Sequence, residues 1–304
     1  MTANRPIRIA AVGDVHDQWG EADGVALQHL AVDLVLFVGD FGNEAVDLVR
    51  QIAALEMPKA SIFGNHDAWY SATDWGRKKR PYDPTQEDWV QQQIDLLGIA
   101  NVGYGRRDFV ELGISVVGGK PFSWGGPSWK HRKFYWERYG VDSMEASSQR
   151  IIQAVDAAAH NTLIFLGHCG PAGLGDAPEA ICGRDWKPNG GDYGDPDLRI
   201  AIDYARDKGR QVPLVTFGHM HHSLRHRQDR LRERIALDKA GTTYVNAACV
   251  PRQRKGDQGL ECNFSLIELT ADGVVSVEGI WLTAEGIITH REILLSSSEA
   301  LEAQ

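Results

Sequence analysis

Short apolar, β-branched runs recur along the chain, and each stops at a polar cluster opened by glycine. They read "IRIAAVGD", "LVLFVGD", "KASIFGNHD", "TLIFLGH" and "VPLVTFGH". Runs of this length bounded by glycine predict buried strands. Between them lie helical stretches at 21–31, 43–56, 85–98, 145–159 and 196–208. Strand–helix alternation of this kind predicts a layered α/β architecture with helices outside sheets. After residue 242 the pattern changes to "TTYVNAAC", "NFSLIEL", "VVSVEGIWL" and "IITHREILL". These four runs predict successive antiparallel strands without intervening helices.

Three long loops interrupt the alternation. "YSATDWGRKKRPYD" (70–83) and "GKPFSWGGPSWKHRKFYWERYG" (119–140) are aromatic and basic, and the segment 168–197 is rich in glycine and proline. Loops this long in a compact fold carry function or are disordered, and aromatic content argues against disorder. With 304 residues and 43% hydrophobic content the chain can build one large core, and the pattern runs almost to its end. We therefore expect one domain over 1–295 and a polar tail over 296–304. A formal charge of −9 argues against nucleic-acid or anionic-membrane binding. No apolar run approaches the ~20 residues of a membrane span, and the start lacks the regions of a signal peptide. Four widely spaced cysteines (Cys169, Cys182, Cys249 and Cys262) read as free thiols of a reducing compartment, so a cytoplasmic location is expected.

The predicted strand tips share one chemistry. They carry Asp14 and His16; Asp40; Asn65, His66 and Asp67; His168; and His219 with His221. Any one of these reads equally well as a solvated turn. Five in succession do not, because ligands of open α/β sheets gather at the carboxyl ends of strands. Carboxylate, imidazole and amide without thiolate suit two divalent first-row ions such as manganese, iron or zinc. Two cations some 3.5–4 Å apart require a bridging carboxylate, and they make hydroxide available for in-line attack on phosphorus at neutral pH. That chemistry is hydrolysis of a phosphoester.

"GDVH", "GDFGN", "GNHD", a "GH" at 167–168 and "GHMH" follow the order and spacing of the calcineurin-like metallophosphoesterases. The chain resembles that family over nearly its whole length. More narrowly, "GLGDAPEAICGRDW" and "GGDYGDPDL" resemble the loops of cyanobacterial and plastid-lineage metallophosphatases of the DevT kind. The resemblance implies a four-layer α-β-β-α sandwich, two mixed sheets flanked by helices, with the strands after residue 242 in the second sheet. It implies that Asp14, His16 and His221 bind one metal, that Asn65, His168 and His219 bind the other, and that Asp40 bridges both. Manganese is the expected ion, with iron or zinc as substitutes. His66 would contact the phosphate and protonate the leaving group, with Asp67 orienting its ring, and Asn43 would support the site from behind. The implied activity is hydrolysis of phosphomonoesters by metal-bound hydroxide, with phosphoserine or phosphothreonine proteins among the substrates. A nucleotide phosphodiesterase and a non-catalytic metal-binding scaffold are the alternatives.

The protein-phosphatase branch has Asp-Arg in its second motif, where this chain reads "GDFGNEA". Charge that grips phosphate must then come from elsewhere. Arg77 to Arg80, Lys130 to Lys133, and Arg252 with Arg254 are candidates, each equally readable as a solvated basic loop. Asp17, His131, His222 and His226 lie outside the motifs and read as surface or loop residues. "GISVVGGK" is not a phosphate-binding loop, because its Lys falls one place late and Pro121 stands where Ser or Thr would hold magnesium.

Overall fold

The computed structural model describes residues 5–296 of the chain. Apart from Ser296, the expected polar tail lies outside the described residues. In chain order the elements are β1 (Ile7–Val12), α1 (Glu21–Leu30), β2 (Leu34–Phe37), α2 (Val46–Ala53), β3 (Lys59–Ser61), α3 (Trp69–Ala72), α4 (Asp74–Lys79) and α5 (Trp89–Leu97). There follow β4 (Arg106–Phe109), β5 (Ile114–Gly118), α6 (Arg132–Tyr139), α7 (Met144–Asp156), β6 (Thr162–Leu166), α8 (Pro196–Asp207) and β7 (Gln211–Phe217). The chain closes with β8 (Ile235–Leu237), β9 (Thr243–Asn246), β10 (Gln253–Gly256), β11 (Gly259–Thr270), β12 (Gly273–Thr283) and β13 (Ile288–Leu295).

All five predicted helices form, and local chemistry sets their ends. Asp88 caps α5 by accepting from the Gln91 N–H, so this helix starts later than the periodicity alone indicates. Ser143 caps α7 in the same way, and Pro196 opens α8 where a missing N–H costs nothing. The two aromatic-basic loops are partly helical, as α3, α4 and α6.

Two mixed sheets face each other. The first runs β13-β12-β11-β1-β2-β3, with β10 paired to β11, and the second runs β4-β5-β6-β7-β9-β8. β1, β2 and β3 are parallel, as are β5, β6, β7 and β9, while β11, β12 and β13 are antiparallel. The late strands do not form the second sheet as expected. β11 pairs with β1 and extends the first sheet, and only β9, with β8, joins the second, parallel to β7. The "GISVVG" stretch supplies β5, an interior strand that sequence periodicity did not flag.

Side-chain alternation explains the layers. Ile9, Ala11, Leu34 and Leu36 pack against Ile164, Leu166 and Leu214 of the opposite sheet, forming a core between the sheets. Their neighbours Ala10, Val12, Val35, Phe37, Leu163, Phe165 and Val215 point the other way, into the apolar residues of the helices. α1 packs on β11 and β12, α7 on β5, and α8 on β7. The result is the expected α-β-β-α sandwich. It leaves the carboxyl ends of β1, β2 and β3 facing those of β6 and β7.

Candidate metal centre

The turns after these five strands bring the predicted donors together. His16 Nε2 lies 3.1 Å from His221 Nε2, which lies 3.2 Å from Asp14 Oδ2. Across the cleft, His168 Nε2 lies 3.1 Å from Asn65 Oδ1 and 3.2 Å from His219 Nδ1. Asp40 spans the two groups, with Oδ2 at 3.7 Å from His16 Nε2 and Oδ1 at 3.4 Å from His168 Nε2. The glycine before each motif is there for space. A Cβ on Gly64 would fall 2.3 Å from Asp40 Oδ1, and one on Gly218 would fall 2.1 Å from Asp14 Oδ1. Three of the donors, His16, Asp40 and His219, sit at φ of 44°, 53° and 66°. Non-glycine residues avoid that region, and strain held this way concentrates at functional sites.

The donor set fits metal ions. His168 Nδ1 is engaged at 2.7 Å by the Val38 carbonyl, which places its proton there and leaves Nε2 a bare lone pair. That lone pair faces the Asn65 carbonyl oxygen and His219 Nδ1. Burial pushes His219 down to about 3, so its ring is neutral, and whichever nitrogen keeps its proton, the Asn65 oxygen still faces the His168 lone pair as acceptor to acceptor. Burial alone would raise Asp14, but its hydrogen bond to His221 and the imidazoles of His168, His221 and His16 hold it well below the carboxylate range. Acceptors converging on acceptors in a buried pocket need a cation between them. Cys169 also lies near His168 and His219. Its thiol faces the Ser123 carbonyl at 3.6 Å, and burial pushes it well above the thiol range, so it remains a protonated neighbour.

His66 stands beside the donors, its ring 4.9 Å from that of His16. Its partner differs from the expected one. Nδ1 meets Asn43 Oδ1 at 2.7 Å, while Asp67 accepts the backbone N–H groups of Asp40, Phe41 and Gly64 at 2.9, 2.8 and 2.7 Å. Asp67 therefore braces the turns that carry Asp40 and Asn65, and Asn43 orients the imidazole. On its other side His66 is stacked on Trp69, with ring centroids 5.0 Å apart and planes within 10°.

The basic candidates separate. Lys130 lines the cleft over the donors, a cavity of about 460 Å³. Arg77 does not reach it. Its guanidinium is held by the Ser71 and Ala72 carbonyls and Asp74, and it borders a separate hollow of about 550 Å³ that none of the seven donors lines. Arg252 is a core strut, 1% exposed, paired with Asp23 and packed over Trp19 and Phe264. Arg254 pairs with Glu261. Of the other histidines, His222 is not at the surface but buried, bonded to the Asn246 carbonyl at 3.0 Å. His131 packs on Trp124, His226 pairs with Glu179, and Asp17 is an exposed turn residue. Among the cleft residues, Trp69 and Arg225 had no sequence motif to mark them, while Trp186 and Tyr193 fall in the quoted loop stretches without having been assigned a role. Trp186 and Tyr193 lie in the glycine-rich segment singled out by its length.

Similarity to known proteins agrees with this geometry. The family model described as calcineurin-like phosphoesterase matches residues 7–223, which include every donor. The chain belongs to the calcineurin-like phosphoesterase family. No curated protein matches the chain. One solved structure matches with a TM-score of 0.50 at 10% identity, covering 91% of this chain and 99% of that one. A metallophosphoesterase from Sphaerobacter thermophilus matches at 16% identity and a TM-score of 0.32, covering 86% of this chain and 83% of its own. A hypothetical protein from Thermus thermophilus matches at 13% identity and a TM-score of 0.39, covering 91% and 99%. Membership makes the chain a metal-dependent phosphoesterase. Among the described residues no helix is long and apolar enough to cross a membrane.

Proposed function

We propose that this phosphoesterase is a two-metal enzyme that hydrolyses phosphomonoesters, with manganese as its ion. The observation that carries the reading is the pair of donor groups, Asp14, His16 and His221 on one side and Asn65, His168 and His219 on the other, joined by Asp40. Nitrogen and oxygen donors without thiolate suit divalent first-row ions, manganese, iron and zinc among them, and the family resemblance favours manganese. Two such ions, when bound, would polarise the phosphoryl oxygens and make a hydroxide nucleophile available at neutral pH.

The chain's own residues do the rest. His66, fixed by Asn43 through Nδ1, presents Nε2 to the cleft, where it can give a proton to the departing oxygen. In the second motif the buried Glu44 follows Asn43, where the protein-phosphatase branch has its phosphate-gripping arginine. Positive charge toward substrate comes instead from Lys130 and Arg225 in the cleft wall. A walled cleft of about 460 Å³ favours a small phosphorylated molecule over a phosphoprotein surface. Manganese-loaded protein should release phosphate from p-nitrophenyl phosphate far faster than it cleaves bis(p-nitrophenyl) phosphate. Faster cleavage of the diester would make the enzyme a phosphodiesterase, and no cleavage of either would leave a metal-binding scaffold.

A further inference from the structure

The cleft is walled by aromatic rings to an extent that phosphate alone does not require. Trp69, stacked on His66, is itself stacked against Trp124 with centroids 5.4 Å apart. A second wall is formed by Trp186 and Tyr193, edge to face at 4.7 Å. Lys130 joins the two walls, its Nζ 3.0 Å from the Tyr193 hydroxyl and 3.1 Å from the Gly125 carbonyl. At the far end of the second wall the Arg225 guanidinium lies over the Trp186 ring, 5.6 Å from its centroid.

The charges in these walls are not balanced. Asp185, the other carboxylate of the wall, is already matched by the Arg232 guanidinium at 3.3 Å. Among the described residues no carboxylate pairs with the Lys130 ammonium or the Arg225 guanidinium, although Asp185 accepts the Arg225 backbone N–H at 2.8 Å. In a chain of net charge −9, where most arginines find an acidic partner, two such cations beside a dinuclear donor set are an arrangement for an anion. Both line the same cleft as Asp40, Asn65, His219 and His221, so a substrate held at the donors can also reach them.

We infer that the substrate is a nucleotide: a phosphoester whose leaving group carries a planar base, stacked in the aromatic walls, and a second phosphate, met by Lys130 and Arg225. This inference rests on the phosphomonoesterase reading above. Every base has a π face, so aromatic walls hold nucleosides without reading sequence, and arginine and lysine supply charge-assisted bonds to phosphate. In the reaction the water oxygen bonds to phosphorus as the ester P–O bond breaks. The departing nucleoside oxygen takes the proton from His66, and the proton lost by water replaces it on the ring.

The test compares four probes on the full chain loaded with manganese: adenosine 3′,5′-bisphosphate, AMP, β-glycerophosphate and a phosphotyrosine peptide. The expected order of kcat/KM places the bisphosphate above AMP and AMP above β-glycerophosphate, each step about tenfold, the scale of one charged contact or one stacked base. Trp186→Leu should shrink the AMP-to-glycerophosphate ratio about tenfold, and Arg225→Met should do the same to the bisphosphate-to-AMP ratio. Saturable quenching of tryptophan fluorescence by the bisphosphate, in protein without added metal, is the second readout. Ratios unmoved by both substitutions, or a preference for the phosphotyrosine peptide, overturn the inference. Quenching by the bisphosphate without hydrolysis of any ester would uphold the aromatic walls as its site and remove the phosphoesterase reading instead.

Discussion

The Nδ1 of His66 lies 2.7 Å from the Oδ1 of Asn43, and no carboxylate takes that place. A neutral amide fixes the ring's orientation without stabilising the imidazolium as an aspartate would. The ring thus keeps a protonated Nδ1 toward Asn43 in either charge state, with Nε2 toward the cleft. Asn43→Asp should shift the alkaline limb of the kcat/KM profile, where the proton donor is lost, to higher pH by holding a proton on His66. Asn43→Ala should lower kcat while leaving metal content intact. A pH profile unchanged in Asn43→Asp would show that Asn43 does not set the ring.

His66→Ala should abolish most turnover and retain the metals, because the residue acts on substrate. Proton transfer of this kind contributes about 10²–10⁴-fold. The deficit should be largest for an alkyl phosphate and smallest for p-nitrophenyl phosphate, whose leaving group needs little protonation. Equal losses on both would assign His66 a role other than proton donor.

Much of the site could be read from sequence because strand tips, glycines and donors occur together in short motifs. Asp14, His16, Asp40, Asn65, His168, His219 and His221 each sit a few residues past a strand end that hydrophobic patterning locates. What patterning could not show was which neighbour each side chain meets. Asp67 follows His66 in sequence, yet its carboxylate turns to three backbone N–H groups because the turns after β2 and β3 leave those donors without partners. Arg252 follows a strand beside the last motif, but Asp23 and two aromatic rings draw it into the core. The aromatic-basic loop 119–140 divides between packing and lining the cleft. Trp124 lines the cleft, Tyr135 is buried with its hydroxyl on the Pro121 and Phe122 carbonyls, and Trp136 is 59% exposed. The placement of the late strands was also hidden, since period-2 alternation shows that a strand is buried and not which sheet it joins.

Lys120 is a charged position outside the site whose loss should be costly. It is 6% exposed, 3.1 Å from Asp195 and 3.6 Å from Asp197. Lys120→Met leaves two buried carboxylates without their cation, a change that costs about 3–5 kcal/mol in buried pairs. Urea unfolding measures it. A loss under about 1 kcal/mol, the scale of an exposed pair, would mean that other groups compensate the two carboxylates.

Glu44 gives a pH-dependent test of the turn that carries Asn43. It is buried, and it accepts from the Ser71 N–H at 2.6 Å and from the Tyr82 hydroxyl at 2.5 Å. Burial raises its pKa against these donors. The folded state then holds a proton that the unfolded chain has already released, so the stability gained at low pH is lost as pH rises through the folded value. Glu44→Gln should therefore be more favourable relative to the parent at pH 8 than at pH 4. A difference that is constant between those pH values, or that reverses, would contradict the raised pKa.

The central claim is that Asp40 joins two metal ions, and the count of bound manganese per chain tests it most directly. Elemental analysis after chelation, reloading and dialysis should find two ions per chain in the parent protein. Asp40→Asn, which keeps the size of the side chain and removes the charge that screens two adjacent cations, should lose both sites together. Two tightly held ions in Asp40→Asn, or a single ion in the parent, would contradict the account.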